Sequence, residues 1–155
     1  MAVDQRILVV DDDRNWMETL ADFFQGRGIG VATAETGADG LHLAESEPAS
    51  LVLVDYHMPD MNGLEFLQHL REIRAEIEAL LLSSDDEPSL SRRAVAAGAR
   101  AFIPKSCPDL LIQTVQRVLA DLIAKHHLPV PVSFYLPVPS DWLRSLRHFG
   151  NDRHA

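Results

Sequence analysis

The chain has 155 residues, 46% of them hydrophobic, and a formal charge of −9. That length suits one globular domain. No run approaches the roughly 18 apolar residues of a membrane span, and the single Cys107 leaves no internal disulfide framework. Residues 1–124 hold 10 Lys/Arg against 21 Asp/Glu, whereas residues 125–155 hold 4 against 2. Phosphate backbones repel so acidic a body, so direct nucleic-acid binding by this chain is not expected. No basic-then-apolar leader opens the chain, and the cysteine usage fits a reducing cytosol, so a cytoplasmic location away from the membrane is expected.

Short apolar runs alternate with amphipathic ones, the pattern of βαβ units. The first strand is read at 6–10, followed by a helix with Trp16, Leu20, Phe23 and Phe24 on one face and Gly26 and Gly28 at its end. A second strand at 30–34 leads to a helix capped by Thr36, with Leu41 and Ala44 facing inward. After the third strand, 50–54, Gly63 opens a helix striped by Leu64, Leu67, Leu70 and Ile73. The fourth strand, 79–83, precedes a helix that Pro88 starts, where a missing N–H costs nothing. The fifth, 101–104, precedes a helix begun by Pro108 and striped by Leu111, Val115, Val118, Leu119 and Leu122. Cys107, between the two, reads as a small packing residue. Such alternation predicts an α/β, doubly wound (βα)5 three-layer sandwich, flavodoxin-like, with parallel strand order 2-1-3-4-5. Strands 1, 3 and 5 are expected at the middle of that sheet.

Those strands end in ionisable residues. Ile7-Leu8-Val9-Val10 runs into Asp11-Asp12-Asp13, Leu51-Val52-Leu53-Val54 into Asp55, and Ala101-Phe102-Ile103-Pro104 into Lys105. Residues just past parallel strand ends gather at one sheet edge. Carboxylates crowded there repel by about 1 kcal/mol at 4 Å in water and about 4 near a protein surface. A hard divalent cation is the natural reason for such a cluster. For Asp13 a solvated turn is the better reading.

These pieces, with Met58-Pro59, Gly63, Leu82-Ser83 and Ala97-Gly98-Ala99, resemble the receiver domain of two-component response regulators over residues 5–124. The Phe-Ile-Pro-Lys-Ser run is similar to receivers that precede helix-turn-helix output domains. The resemblance implies that Asp55 accepts a phosphoryl group from a histidine kinase or phosphotransfer protein. A carboxylate can attack phosphorus to form a mixed anhydride. Asp12 and Asp55 would bind Mg²⁺ (Mn²⁺ being possible), Asp11 would act through a water, and the His57 backbone carbonyl would be a further ligand. Lys105 would supply positive charge, Ser83 a hydroxyl, and Phe102 would be both a core aromatic and the switch aromatic. His57, otherwise a surface imidazole, and Asp85 would tune the phosphoryl lifetime. Such a domain is a self-phosphorylating switch and not an enzyme acting on a separate substrate. Three departures from the commonest pattern stand out: Ser83 for threonine, Phe102 for tyrosine, and Ser106 for the proline that often follows the lysine. Without proline a cis bond costs about 2.5–4 kcal/mol, so Lys105–Ser106 is expected to be trans.

A haloacid-dehalogenase-like phosphatase would share the Asp11-x-Asp13 start and a serine after a later strand. It would need an acidic pair after Lys105, which the chain lacks, and would leave Asp55 idle. A flavodoxin would have to place an FMN phosphate beside Asp11-Asp12-Asp13. The alternation stops near Lys125, and the domain reading is a receiver over 1–124 with an extension over 125–155. Leu128-Pro129-Val130-Pro131 and Leu136-Pro137-Val138-Pro139 form a small repeat that should be extended. Ser140 resembles an N-cap for a helix with Trp142, Leu143, Leu146 and Phe149 on its apolar face. These 31 residues are too few for a helix-turn-helix domain. The chain therefore reads as a stand-alone receiver, as a fragment of a longer DNA-binding transcriptional regulator, or as a receiver whose tail docks on itself or on a second copy. A homodimer through the fourth helix, fifth strand and fifth helix is another expectation. The tail histidines His126, His127, His148 and His154 have no compact metal-ligand spacing.

Overall fold

Five parallel strands make one sheet: β1 (Arg6–Val10), β2 (Gly30–Ala34), β3 (Leu51–Asp55), β4 (Glu78–Ser83) and β5 (Ala101–Pro104). Between and after them run α1 (Arg14–Gln25), α2 (Gly37–Ser46), α3 (Gly63–Ile73), α4 (Ser89–Ala96), α5 (Pro108–Lys125) and α6 (Ser140–Asn151). The computed structural model describes residues 6–85, 87–125 and 138–151, with side chains in the last segment as far as Arg147. The tail positions Phe134, Tyr135, His126, His127 and His154, and the side chains of His148 and Phe149, lie outside what is described.

The strand order is β2-β1-β3-β4-β5, as the alternation predicts. The expectation that strands 1, 3 and 5 form the middle is corrected: β5 is an edge strand, and β4 separates it from β3. Lys105 still reaches the centre because its side chain is long and β4 ends in the small Ser83, which pairs with Pro104.

The strands are apolar on both faces because helices cover both. Ile7, Val9, Leu53, Leu80 and Ile103 face a core shared with α1 and α5, whereas Leu8, Val10, Val52, Val54 and Leu81 face α2, α3 and α4. Side chains alternate faces along a strand, so a one-residue slip would exchange the two cores. Each fully buried Leu or Ile contributes roughly 1.5–3 kcal/mol.

The helix starts carry local signals. Asp13 accepts from the Trp16 N–H and caps α1, so it is structural and not simply solvated. Thr36 caps α2 and Asn62 caps α3 in the same manner. Gly63 fits where a Cβ would lie 2.7 Å from the Asp55 carbonyl and 2.5 Å from Leu81 Cδ1, so α3 packs directly on the end of β3. In α6 the Pro139 carbonyl takes the Trp142 and Leu143 N–H groups, and Ser140 is the first helical residue instead of the cap. Cys107 is exposed, between the turn at 105–106 and the start of α5, which corrects the packing reading. Ile73 is also left exposed at the end of its stripe.

α6 lies on the molecule's own α1 and α5. Leu146 is fully buried among the residues of that core. The Trp142 ring stacks on Phe23 at 4.1 Å, and its Nε1–H donates to the Thr19 carbonyl at 3.2 Å. Arg147 pairs with Asp109 at 2.7 Å.

Candidate functional site

Three loops at the C-terminal edge of the sheet bring the ionisable residues together. The backbone N–H of Asp11 donates to the Ala34 carbonyl, which continues the β1–β2 ladder one step and fixes the carboxylate at the strand end. Asp55 is the last residue of β3, paired with Leu82, one residue further into the strand than the sequence pattern suggests. The N–H of Lys105 donates to the Ser83 carbonyl at 2.8 Å, which sets the lysine from its own strand end. Lys105–Ser106 is trans, as expected.

Asp11, Asp12 and Asp55 each offer an oxygen, all within 4.8 Å of one another. Asp11 and Asp55 are buried, and Asp12 is exposed. The buried Lys105 Nζ stands 2.5 Å from Asp11 Oδ2 and 3.5 Å from Asp55 Oδ1. It also sits 4.5 Å above the ring of Trp16, whose negative face favours a cation. The Asp13 N–H donates to the other Asp11 oxygen at 2.9 Å. Burial pushes the Asp11 carboxyl up to about 6, with the nearby Asp55 charge adding to the effect and Lys105 and the Asp13 N–H opposing it.

Ser83 is buried, and its Oγ accepts from the Asp85 N–H at 3.0 Å. Asp85 in turn pairs with His57 Nε2, so the residues two beyond Asp55 and two beyond Ser83 meet across the rim. His57 is also bridged by its backbone to Asn62, which folds the 57–62 loop back on itself. The Asp60 carboxylate accepts from the Gly37 and Ala38 N–H groups, each at 2.9 Å. Desolvation raises the Asp60 pKa, but those donations outweigh it and hold the carboxyl below its usual value. Phe102 is half-buried against the α2–α3–α4 core.

The predicted site residues Asp11, Asp12, Asp55, His57, Ser83, Asp85, Phe102 and Lys105 are therefore at this edge or in the strand leading to it. Sequence reasoning missed the Trp16 platform, which reads only as core from its helical stripe. It also missed the His57–Asp85 pair, which joins loops 28 residues apart. The cap by Asp13 had a visible signal, an aspartate three residues before the first buried helix residue.

A parallel sheet of order β2-β1-β3-β4-β5, with three carboxylates, a lysine and a serine at its C-terminal edge, puts the chain in the CheY-like class of α/β domains. The model of the response regulator receiver domain matches residues 7–116, and this chain belongs to that family. It is a receiver of two-component signal transduction. The transcriptional activator protein ExaE of Pseudomonas putida is 35% identical over 117 residues, covering 74% of this chain and 55% of ExaE. The response regulator MprA of Mycolicibacterium vanbaalenii is 36% identical over 115 residues, covering 74% of this chain and 49% of MprA. A CheY-like receiver domain protein from Methanospirillum hungatei JF-1 superposes with a TM-score of 0.70 at 30% identity, over 79% of this chain and 98% of that one. The chain spans about half the length of the curated relatives it matches. Nothing in these matches or in the site favours the phosphatase reading, which would leave the central Asp55 without a task. Among the described residues no helix is long and apolar enough to cross a membrane.

Proposed function

We propose that Asp55 is the phosphoacceptor and that Asp11, Asp12 and Asp55 hold Mg²⁺, with the His57 backbone carbonyl as a further ligand. The observation that carries this reading is the convergence of three carboxylates within 4.8 Å, with Lys105 Nζ 3.5 Å from Asp55. Few protein oxygens, one of them on the exposed Asp12, fit a hard octahedral cation that keeps several waters; Mn²⁺ accepts the same donors. Bound there, the cation offsets charge on the carboxylates and on the incoming phosphoryl oxygens.

An Asp55 oxygen forms the bond to phosphorus as the donor's P–N bond breaks, and the departing imidazole nitrogen keeps the electron pair. The donor is a phosphohistidine of a histidine kinase or phosphotransfer protein. Lys105 compensates the charge that accumulates on the phosphoryl oxygens, since positioning and electrostatics dominate this chemistry. Ser83, now accepting from Asp85, turns its hydroxyl to the phosphoryl group, and the half-buried Phe102 has a core to move into. Hydrolysis returns the carboxylate and inorganic phosphate. The protein is modified and restored, so it acts as a switch and not as an enzyme, in the cytoplasm where such donors work.

Residues 1–124 form the receiver, and 125–155 form an extension that packs back through α6. ExaE and MprA are about twice the matched length, which favours a reading in which a transcription-regulating, DNA-binding unit belongs to a longer regulator. Exposed Val95 on α4 and Leu110 on α5 support pairing of two copies through the α4–β5–α5 face. The test is intact mass after incubation with acetyl phosphate and Mg²⁺. One phosphoryl group should be gained by the protein and none by Asp55→Asn or in EDTA. Unchanged uptake by Asp55→Asn would refute the assignment.

A further inference from the structure

Helices α2 and α3 carry the same four-residue pattern: His42-Leu43-Ala44-Glu45 and His69-Leu70-Arg71-Glu72. Positions i and i+3 share a helix face, so each helix presents an imidazole and a carboxylate together. The two helices pack side by side on one face of the sheet, and both start at the site edge. They are pinned at both ends. The Asp60 carboxylate, in the loop before α3, receives the Gly37 and Ala38 N–H groups. At the far end Arg74 Nη2 donates to the Glu45 carbonyl at 3.0 Å. Between these ties Gly40 lies against Phe66, where a Cβ would come within 3.0 Å of the ring. With the helices held in this register, His42, Glu45, His69 and Glu72 all line one open groove, which also contains Met61 and the exposed Ile73.

We propose that this groove is a second metal site, one that takes a borderline divalent transition cation such as Zn²⁺. Two imidazoles and two carboxylates make up an N₂O₂ donor set, the number and kind of ligands that Zn²⁺ takes in tetrahedral coordination. The aspartate cluster, by contrast, is all oxygen and suits a hard cation. The groove is open in its present form. Among the described residues the trio with ligand atoms already drawn together is that of the aspartates. In the groove His69 Nδ1 stands 4.0 Å from Glu72 Oε2, with those side chains 54% and 76% exposed. Exposed side chains turn readily onto a cation, and the backbone that carries them is already fixed at both ends. A bound ion would clamp α2 to α3, so folding stability reports it independently of phosphoryl transfer.

The test uses the full chain, stripped with EDTA and returned to excess Mg²⁺ so that the aspartates are occupied. ZnCl₂ is titrated by calorimetry, and thermal unfolding is followed with and without it. The variants are His42→Ala, His69→Ala, a control carrying His126→Gln, His127→Gln, His148→Gln and His154→Gln together, and Asp12→Asn. The proposal expects one Zn²⁺ bound by the wild type, by the tail-histidine control and by Asp12→Asn. It expects affinity weakened by about tenfold or more in either groove variant, with the Zn²⁺-induced rise in Tm lost. No uptake by the wild type, uptake unchanged in both groove variants, or uptake lost only in the tail-histidine control or Asp12→Asn would overturn it. Both groove histidines are exposed, so their replacement leaves the core intact.

Discussion

Lys105→Met removes one buried charge while keeping a side chain of similar length. With Nζ 2.5 Å from Asp11 and 3.5 Å from Asp55, an effective dielectric of 20 gives gross attractions of about 7 and 5 kcal/mol. Much of this is offset by the several kcal/mol each ion loses on leaving water, and removing one partner of such a group costs about 3–5 kcal/mol net. That is a large share of a typical domain stability of roughly 5–15 kcal/mol. The two carboxylates left behind can recover by taking a proton or a cation. Asp11, already raised to about 6 by burial with Lys105 pulling it down, rises further once the lysine is gone. The native variant then binds more protons than its unfolded chain, so its stability falls as pH rises. Urea unfolding, read by far-UV circular dichroism, should show the midpoint lowered by about 2 M at pH 8 in EDTA. At about pH 5.5, or with Mg²⁺ added, most of the loss should return. A deficit identical at both pH values and indifferent to Mg²⁺ would refute the coupling of lysine, carboxylates and cation.

Two further outcomes follow from the same geometry. Below about 6 Asp11 carries a proton that a cation must displace, so the apparent Mg²⁺ affinity should fall as pH drops through about 6 and level off above it. The apo protein behaves in the opposite sense: the raised Asp11 pKa favours the fold at low pH, and that contribution is lost as pH rises through about 6. Mg²⁺ titrations at about pH 5 and 7.5 check the first point, and equal affinities would sink it. Leu146→Ala opens a buried site on α6 at a cost of about 2–5 kcal/mol. Amides of residues 140–147 should lose exchange protection while β1, β3 and β4 keep theirs; unchanged protection would mean that Leu146 does not hold the helix down.

Strands β1, β3 and β5 are legible because each is a continuous apolar run that leads to an ionisable residue, whereas β2 and β4 are legible from the alternation with helices around them. The Thr36 cap, the start of α5 at Pro108 and the site aspartates follow from short-range chemistry, whereas the Asn62 cap of α3 is not among the sequence readings, which begin that helix at Gly63. What stayed hidden depends on which loops meet. His57 and Asp85 carry no mark of one another in sequence, and Trp16 looks like any other core aromatic until β5 brings Lys105 over it. The edge position of β5 is hidden for a related reason: strand-end chemistry says which residues converge, but the reach of a lysine lets an edge strand contribute as fully as a central one. Serine favours the cap position, so Ser140 is the expected cap of α6, whereas the carbonyl that takes the first N–H groups is that of Pro139.

The unequal distances from Lys105 to its two partners give the proposed switch a direction. At 2.5 Å from Asp11 and 3.5 Å from Asp55, the ammonium sits nearer Asp11. A divalent cation held by the proposed carboxylate ligands would compete with the buried proton and with the lysine for Asp11. The position nearer Asp55 then becomes the better one for Nζ, and a phosphoryl group on Asp55 strengthens that preference by adding roughly one further negative charge. The lysine cannot move alone. Its N–H is tied to the Ser83 carbonyl, and Phe102 lies three residues upstream on an edge strand bonded on one side only. An edge strand with a single neighbour yields at lower cost than a central one, so β5 is the element of this sheet best placed to transmit a charge change at the site to the outer surface.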